Sequence, residues 1–592
     1  MTMLGFARTC DAIAATSKKL EKTRLVAAYL RSLPVSEAAI AAVFLSGRPF
    51  PAYEEATLQV GGTMLWRAIS ALSGKSESQL TEIYRRHGDA GSVAAEALPE
   101  RPPRPLGLAE VQAAFAAVAA ARGPAAKSLL LRQLLERVTP VEAKYIVKII
   151  GGDLRIGLKE SLVEEAIAKA FEARISDVKR ANMLVGDLGA TLRLAAGGKL
   201  AEARLRLFHP IDFMLASPVE SSDEALSYLS NPSVEDKYDG IRAQAHIGGG
   251  EVRLFSRTRD EITESFPELP PALAGLPADV ILDGEIVAWK IVAWNSRGGV
   301  ADDSAAGRAL PFSTLQQRLG RKKVSAGLMR DAPIAYLVFD VLYADGELLL
   351  DRPLRERASI LDKLLSRMKT TAPHLGTDAS VRPPERSPAA GRQSQARFAF
   401  AAPDFPAAPV LRAPASTAGT AQDLEALFTA ARERGNEGLM LKDPASLYTP
   451  GRRGKSWLKM KRELATLDVV VTAVEYGHGK RIGVLSDYTF AVRSGERLVN
   501  IGKAYSGLTD AEIAEMTKWF LSHKVSEQGL RLEVEPRIVV EVAFNNMMRS
   551  SRHESGYALR FPRIVRLRPD KHPEDADTLD TVQEIYQRQH SA

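Results

Sequence analysis

The spacing of apolar residues in this chain changes character once, between about residues 205 and 210, and that change limits the folds open to it. Before it, apolar residues recur every three or four positions in segments such as LEKTRLVAAYLRSL, AEVQAAFAAVAAAR, SLLLRQLLERV and SLVEEAIAKAFE, the period of amphipathic helices. Breaks rich in Gly and Pro separate them, SGRPFP near residue 47 and LPERPPRPLG near 98. After the change, alternating and β-branched runs take over. IRAQAHI, EVRLFSR, VILDGEIVAW and IAYLVFDVLY read as strands, with a short helix at SILDKLLSRM. A third pattern starts near 464, with strands at LDVVVTAVEYG, DYTFAVR, RLVNIG and PRIVVEVAF and a helix around DAEIAEMTKWFL. Several short strands with Gly-rich turns predict a small barrel of the OB type.

The expected architecture is therefore multidomain α+β. An all-helical domain spans 1–205, an α+β domain 206–463 and an OB-fold β-barrel 464–592. With 592 residues the chain is long enough to bury its cores without disulfide or metal staples. Its one cysteine, Cys10, excludes an internal disulfide and a four-cysteine zinc site. No run approaches 18 apolar residues and no apolar stretch follows a basic start, so neither a membrane span nor a signal peptide is expected, and the location expected is cytoplasmic. Lys and Arg exceed Asp and Glu by 79 to 72, a surplus too mild to identify a polyanionic partner without knowing where the charges lie. Two stretches read as insertions. Residues 370–416, rich in Ala, Pro, Ser and Arg, read as a mobile loop, and the echo IVAWKIVAW at 286–294 with the polar run after it reads as a local loop expansion to about 307.

The segment richest in chemistry is EDKYDGIR, residues 235–242, in which Lys237, Asp239 and Gly240 form Lys-x-Asp-Gly. Alone it would arise by chance in roughly one chain in ten of this length, and Asp-Gly is also a favoured hairpin turn. Six further segments follow in order: FSRTRDEITESFPEL at 255–269, ILDGEIVAW at 281–289, AYLVFDVLYADGE at 335–347, EGLMLKD at 437–443, KSWLKMK at 455–461 and RFPRIVRLRPDK at 560–571. Together these resemble the ordered motifs of the ATP-dependent DNA ligases, the type with a helical DNA-binding domain ahead of a nucleotidyltransferase (adenylation) domain and an OB-fold domain. GGDLRIGLKESLVEEAI, residues 151–167, resembles a signature of that DNA-binding domain. RNA ligases and mRNA-capping nucleotidyltransferases share the Lys-x-Asp-Gly core, but the helical first domain and the RFPR-type ending argue against both. NAD-dependent DNA ligases carry zinc-binding cysteines that this chain lacks. A catalytically dead DNA-binding scaffold would have lost one of Lys237, Glu285, Glu437 or Lys459, and all four are present.

The resemblance implies nick sealing in double-stranded DNA through a lysyl-AMP intermediate and a DNA-adenylate, by a monomer that uses ATP and Mg2+, with Mn2+ able to substitute. Lys237 is the expected nucleophile, since an amine can hold AMP as a phosphoramidate, and attack requires it neutral. Glu235, two residues before it, faces the same side of a strand and by resemblance helps select adenine. Arg242 and Arg257 are assigned to ribose or phosphate oxygens. Glu285 and Glu437 are the carboxylates assigned to ribose and metal, and Phe339 is assigned to the adenine face. In GRRGKSWLKMKRE, residues 451–463, six basic residues face one acidic, and the alternation puts Lys459 and Lys461 on one side of a strand. The resemblance gives Lys442, Arg453, Lys459 and Lys461 to the ATP phosphates and the adenylate. Arg560, Arg568, Asp570 and Lys571 of the last motif are assigned to the β- and γ-phosphates during lysine adenylation.

Overall fold

A computed structural model describes residues 2–51, 58–276, 279–291, 307–321, 323–371, 408–461, 465–478 and 481–590. The chain divides into two compact units, one of residues 212–461 and one that joins 1–211 to 462–592.

The joined unit begins with helices, from Met3–Ala14 to Leu188–Ala196, as the three- and four-residue spacing predicts. Their apolar stripes meet in one core that includes Phe6, Phe44, Phe115, Tyr145, Val163 and Leu192. Both Gly- and Pro-containing breaks fall between helices: Val35–Leu45 ends before SGRPFP, and Leu108–Ala120 begins after LPERPPRPLG. The second part of this unit is built on one long strand, Ala465–Tyr476. It pairs with Val539–Phe544 along its first half, with Leu485–Ser494 along its second, and with Arg531–Val534 near its end. One strand serving several partners is how a small sheet curls round a core, here Val469, Val471, Phe490, Ile501, Phe520 and Val542. The helical first part and the strand-rich last part agree with the expected fold class.

The unit 212–461 holds two sheets. The strands of this unit are numbered in chain order. In the first sheet β1 (Leu215–Val219), β2 (Ser233–Lys237), β10 (Ala415–Thr417), β11 (Gly438–Lys442) and β12 (Arg453–Lys461) run in the order β1-β12-β11-β2-β10. In the second, β3 (Ile241–Gly248), β4 (Glu251–Ser256), β5 (Val280–Ile291), β7 (Ile334–Ala344) and β8 (Glu347–Leu348) run in the order β4-β3-β5-β7-β8, with β6 (Gly307–Ala309) on β5 and β9 (Val410–Arg412) on β7. The outer face of each sheet is apolar and covered by helices. Val234, Leu439, Leu441, Leu458 and Met460 pack with Ala225, Leu424 and Phe428 of two helices, and Ala243, Leu282, Ile286 and Val338 pack with Leu361 and Leu364 of another.

Two local expectations change, and the alternative reading of Asp-Gly as a hairpin turn falls. Asp239-Gly240 is no hairpin: β2 pairs with β10 and β11, whereas β3 pairs with β4 and β5, so Tyr238–Gly240 carries the chain from one sheet to the other. The first copy of the echo, 286–289, is strand rather than loop, since residues 286–288 pair with β7 and residues 289–291 with β6; of the second copy, 291–294, Ile291 ends β5 and 292–294 lie outside the described residues. The end of the stretch read as a loop from 370 to 416 is also strand. Val410–Arg412 pair parallel to β7 and Ala415–Thr417 antiparallel to β2, because those edges offer free ladder groups to any extended segment passing them. Residues 372–407 lie outside the described residues.

A buried ion pair ties β7 to its covering helix. Arg357 donates from Nε to Asp340 Oδ1 at 2.8 Å and from Nη2 to Oδ2 at 2.9 Å, and both side chains are fully buried. Removing one partner leaves an uncompensated charge in the core. Asp340→Ala is therefore expected to destabilise this unit by about 3–5 kcal/mol, measured by chemical denaturation; a loss below about 1 kcal/mol would show that the pair behaves as a surface one.

Candidate active site

The register of three strands assembles most of the predicted residues. β11 lies between β2 and β12, and its residues align across both neighbours in three rows: Lys237, Gly438 and Lys461; Glu235, Met440 and Lys459; Ser233, Lys442 and Trp457. Because side chains alternate, all three rows share one face of the sheet while the apolar residues between them fill the core behind. Gly438 has φ +149°, and a Cβ there would lie 2.2 Å from the Met460 carbonyl oxygen, so only glycine fits beside Lys237.

The second sheet supplies the opposite wall. Arg242 on β3 aligns with Glu285 on β5, and Glu285 aligns with Leu337, two residues before Phe339 on β7. The crossover at 238–240 brings β2, which ends at Lys237, against this wall. A Cβ on Gly240 would meet the Ile286 carbonyl oxygen at 2.4 Å and Glu285 Cγ at 2.8 Å, so the glycine of Lys-x-Asp-Gly is there for close approach.

Lys237 Nζ donates to Glu437 Oε2, and the two side chains are only 23% and 20% exposed. The Glu437 amide donates to the Lys237 carbonyl at 2.8 Å, fixing the pair at backbone as well as side chain. Lys459 has its ammonium pushed below the ordinary lysine value, first by burial and then by the charges of Lys461, Lys237, Arg453 and Arg257. Four other predicted cations therefore act on Lys459, although Arg257 and Arg453 are exposed. Burial pushes the Glu285 carboxyl up to about 8, against the opposing pull of Lys237 and Arg242, with Asp283 and Glu437 adding to the rise.

The far end of the face is different. Lys442 Nζ donates to Glu235 Oε2 at 2.5 Å, with both side chains buried. The ammonium also sits 4.1 Å from the Phe339 ring centre and 4.6 Å from that of Trp457. Lys442, which the resemblance gives to the ATP phosphates and the adenylate, lies two rows from Lys237, in the company of Glu235 and the rings, because strand register fixes its row. Arg242 is likewise committed within the protein: Nε and Nη2 donate to Asp283 Oδ1 and Oδ2 at 3.1 and 2.7 Å, and Nη1 donates to the Met214 carbonyl at 2.7 Å. Tyr448 completes this knot by donating to Asp283 Oδ2 at 2.7 Å.

Asp283, Tyr448, Trp457 and Met440 were not singled out from sequence. Trp457 was within reach, because the alternation that pairs Lys459 with Lys461 puts residue 457 on the same face. Tyr448 carried no comparable signal. The last-motif residues Arg560, Arg568, Asp570 and Lys571 belong to the other unit.

The carboxyl at 285 makes a pH test. In an unfolded chain a glutamate titrates near about 4.3, so between that pH and about 8 the folded state holds the extra proton. Stability from this group then falls as pH rises through that interval. Glu285→Gln, which resembles the protonated form, is expected to gain stability over the parent chain from pH 5 to 8 and then level off in urea titrations. A difference independent of pH would contradict the shift.

Three family models match the chain in order: "DNA ligase N terminus" over residues 3–193, "ATP dependent DNA ligase domain" over 213–377 and 408–461, and "ATP dependent DNA ligase C terminal region" over 481–571. A protein of Koribacter versatilis called "Probable DNA ligase" is 57% identical over 589 residues, covering 98% of this chain and 96% of the relative. One of Methanothrix thermoacetophila called "DNA ligase" is 36% identical over 607 residues, covering 99% of both. In fold, the chain is similar to the solved structure "Pmar-Lig_Pre.", with a TM-score of 0.58 at 16% identity, over 95% of this chain and 99% of that one. Motif order, domain matches and full-length similarity agree, and the chain belongs to the ATP-dependent DNA ligase family.

Proposed function

We propose that this enzyme seals nicks in duplex DNA, joining a 3′-hydroxyl to a 5′-phosphate with ATP as the source of activation. The observation that carries the reading is the placing of Lys237 against Glu437 on a face shared with Lys459 and Lys461, beside a wall that bears Glu285. In the first step Lys237 Nζ bonds to the α-phosphorus of ATP while the bond to the bridging oxygen breaks and pyrophosphate leaves with the electron pair. The amine must shed a proton to attack, and Glu437, already its hydrogen-bond partner, is placed to receive it. Lys459, Lys461, Arg453 and Arg257 offset the charge that gathers on the phosphate oxygens. AMP then passes to the 5′-phosphate of the nick, and the 3′-hydroxyl displaces it.

The base would lie at the row of Glu235 and Lys442. Phe339 supplies a ring there and Met440 an apolar neighbour at the centre of the sheet face. The buried indole N–H of Trp457 has no hydrogen-bond partner among the described residues, which leaves a donor for a bound ligand. Arg242 supports this end through Asp283 and the rings rather than by an unengaged guanidinium. Among the described residues no group of three or more His, Cys, Asp or Glu is placed to hold a metal. Glu285 and Glu437 supply two carboxylates, which suits Mg2+, an ion that takes its other ligands from phosphate and water. When bound, Mg2+ would neutralise charge on the phosphates.

The helical region would hold the DNA backbone, with the loop Gly151–Lys159 that joins two helices as the first candidate. We assign the last-motif residues Arg560, Arg568, Asp570 and Lys571 to the β- and γ-phosphates during the first step. The enzyme is read as a monomer of the cytoplasm. Among the described residues no helix is long and apolar enough to cross a membrane.

Incubation with α-labelled ATP and Mg2+ tests the chemistry. Label is expected to stay on the protein through denaturation and to be abolished by Lys237→Ala. The adenylated enzyme should then seal a nicked DNA duplex faster than a nicked RNA duplex. Labelling from GTP or NAD in place of ATP, or full labelling of the Lys237→Ala chain, would defeat this reading.

A further inference from the structure

The last motif has a partner that its own sequence does not contain. Asp468, on the long strand Ala465–Tyr476, accepts from Arg568 Nη1 at both carboxylate oxygens, each at 2.8 Å. Its Oδ2 also accepts from Lys571 Nζ at 2.7 Å. Asp570 grips the other edge of the guanidinium, with Nε donating to its Oδ1 at 2.9 Å and Nη2 to its Oδ2 at 2.7 Å. Arg568 is thus held on two sides and is only 13% exposed, while Lys571 is 30% exposed. An ammonium has three N–H bonds, so Lys571 keeps donors beyond the one directed at Asp468.

Asp468 is itself fixed. Its amide donates to Asp577 Oδ2 at 2.7 Å and its carbonyl accepts from the Asp577 amide at 2.9 Å. Across the sheet it aligns with Glu541, which in turn aligns with Arg566. The carboxylate therefore springs from a strand interior, whereas Arg568 and Lys571 lie beyond the end of the strand Arg563–Leu567. Left to themselves, two like charges three residues apart would repel and take separate rotamers. One carboxylate between them holds both at a set spacing.

We infer that Asp468 is a positioning residue for lysine adenylation: it holds Arg568 and Lys571 together as a prearranged cation pair for the pyrophosphate leaving group. The inference rests on the reading of the last motif given under Proposed function. Cations already in place need no reordering as charge builds on the leaving group.

Asp468→Asn removes the charge while keeping the side-chain size and both backbone hydrogen bonds to residue 577. The rate of lysine adenylation at saturating ATP is expected to fall on the order of tenfold or more, with a smaller change in the ATP concentration for half-maximal rate. Sealing of a nick that already carries 5′-AMP expels no pyrophosphate and should be unchanged. Asp468→Glu should recover part of the lost adenylation rate. Adenylation as fast as in the parent chain, or faster, would overturn the inference. So would an equal loss in both steps with a lowered thermal midpoint, which would make Asp468 a residue of fold stability alone. Arg568→Ala, run in parallel, separates the two readings. If it slows adenylation and Asp468→Asn does not, the role of Asp468 fails by itself; if Arg568→Ala has no effect, the reading of the last motif fails.

Discussion

The chemistry of the 212–461 unit depends on the pairing of β11 with β2 on one side and β12 on the other. Lys237 lies more than two hundred residues of chain before Lys459 and Lys461, and backbone ladders bring the three into adjacent rows, with Glu437, just ahead of β11, hydrogen-bonded to Lys237. A slip of one residue of β2 on β11 would turn Lys237 into the core and expose Val234, and a slip of β12 on β11 would do the same to Lys459 and Lys461 and expose Leu458. The register is therefore held by the hydrophobic face behind it, and the site inherits its precision from ordinary packing.

The crossover between the sheets is the second constraint. Two walls of a cleft must approach closely if a carboxylate on one is to feel a lysine on the other. Gly240 allows that approach by leaving room for the Ile286 carbonyl and the Glu285 side chain. One consequence is electrostatic, since the burial that raises Glu285 also places it within the field of Lys237 and Glu437. A polar knot of Arg242, Asp283 and Tyr448 closes the other end of the cleft, where a single unpaired member would be costly.

Much of this was legible in one dimension. The period of apolar residues separates helical from strand-rich regions, and the ordered motifs mark Lys237, Glu285, Glu437 and Lys459 as candidates. What sequence patterns misplaced has a common cause. Asp-Gly resembles a hairpin turn because local turn preference carries no information about which sheet the next strand joins. The edge strands β9 and β10 were hidden in a stretch rich in Ala and Pro, since a short strand on a free edge needs backbone groups more than side chains. That Lys442 would sit with Glu235 and the aromatic rings was not visible in the motif, because strand register sets its row.

The amino-acid order by itself determined the kinds of elements, their succession and the residue types able to carry out phosphoryl chemistry, because periodicity and motif spacing are local properties. Only the tertiary structure decided which of those residues meet. The pairing of Lys237 with Glu437, of Lys442 with Glu235, of Arg242 with Asp283 and of Asp468 with Arg568 and Lys571 joins positions far apart in the chain. Contacts of that range follow from strand register and from the burial that enforces it, and neither can be read from a single segment.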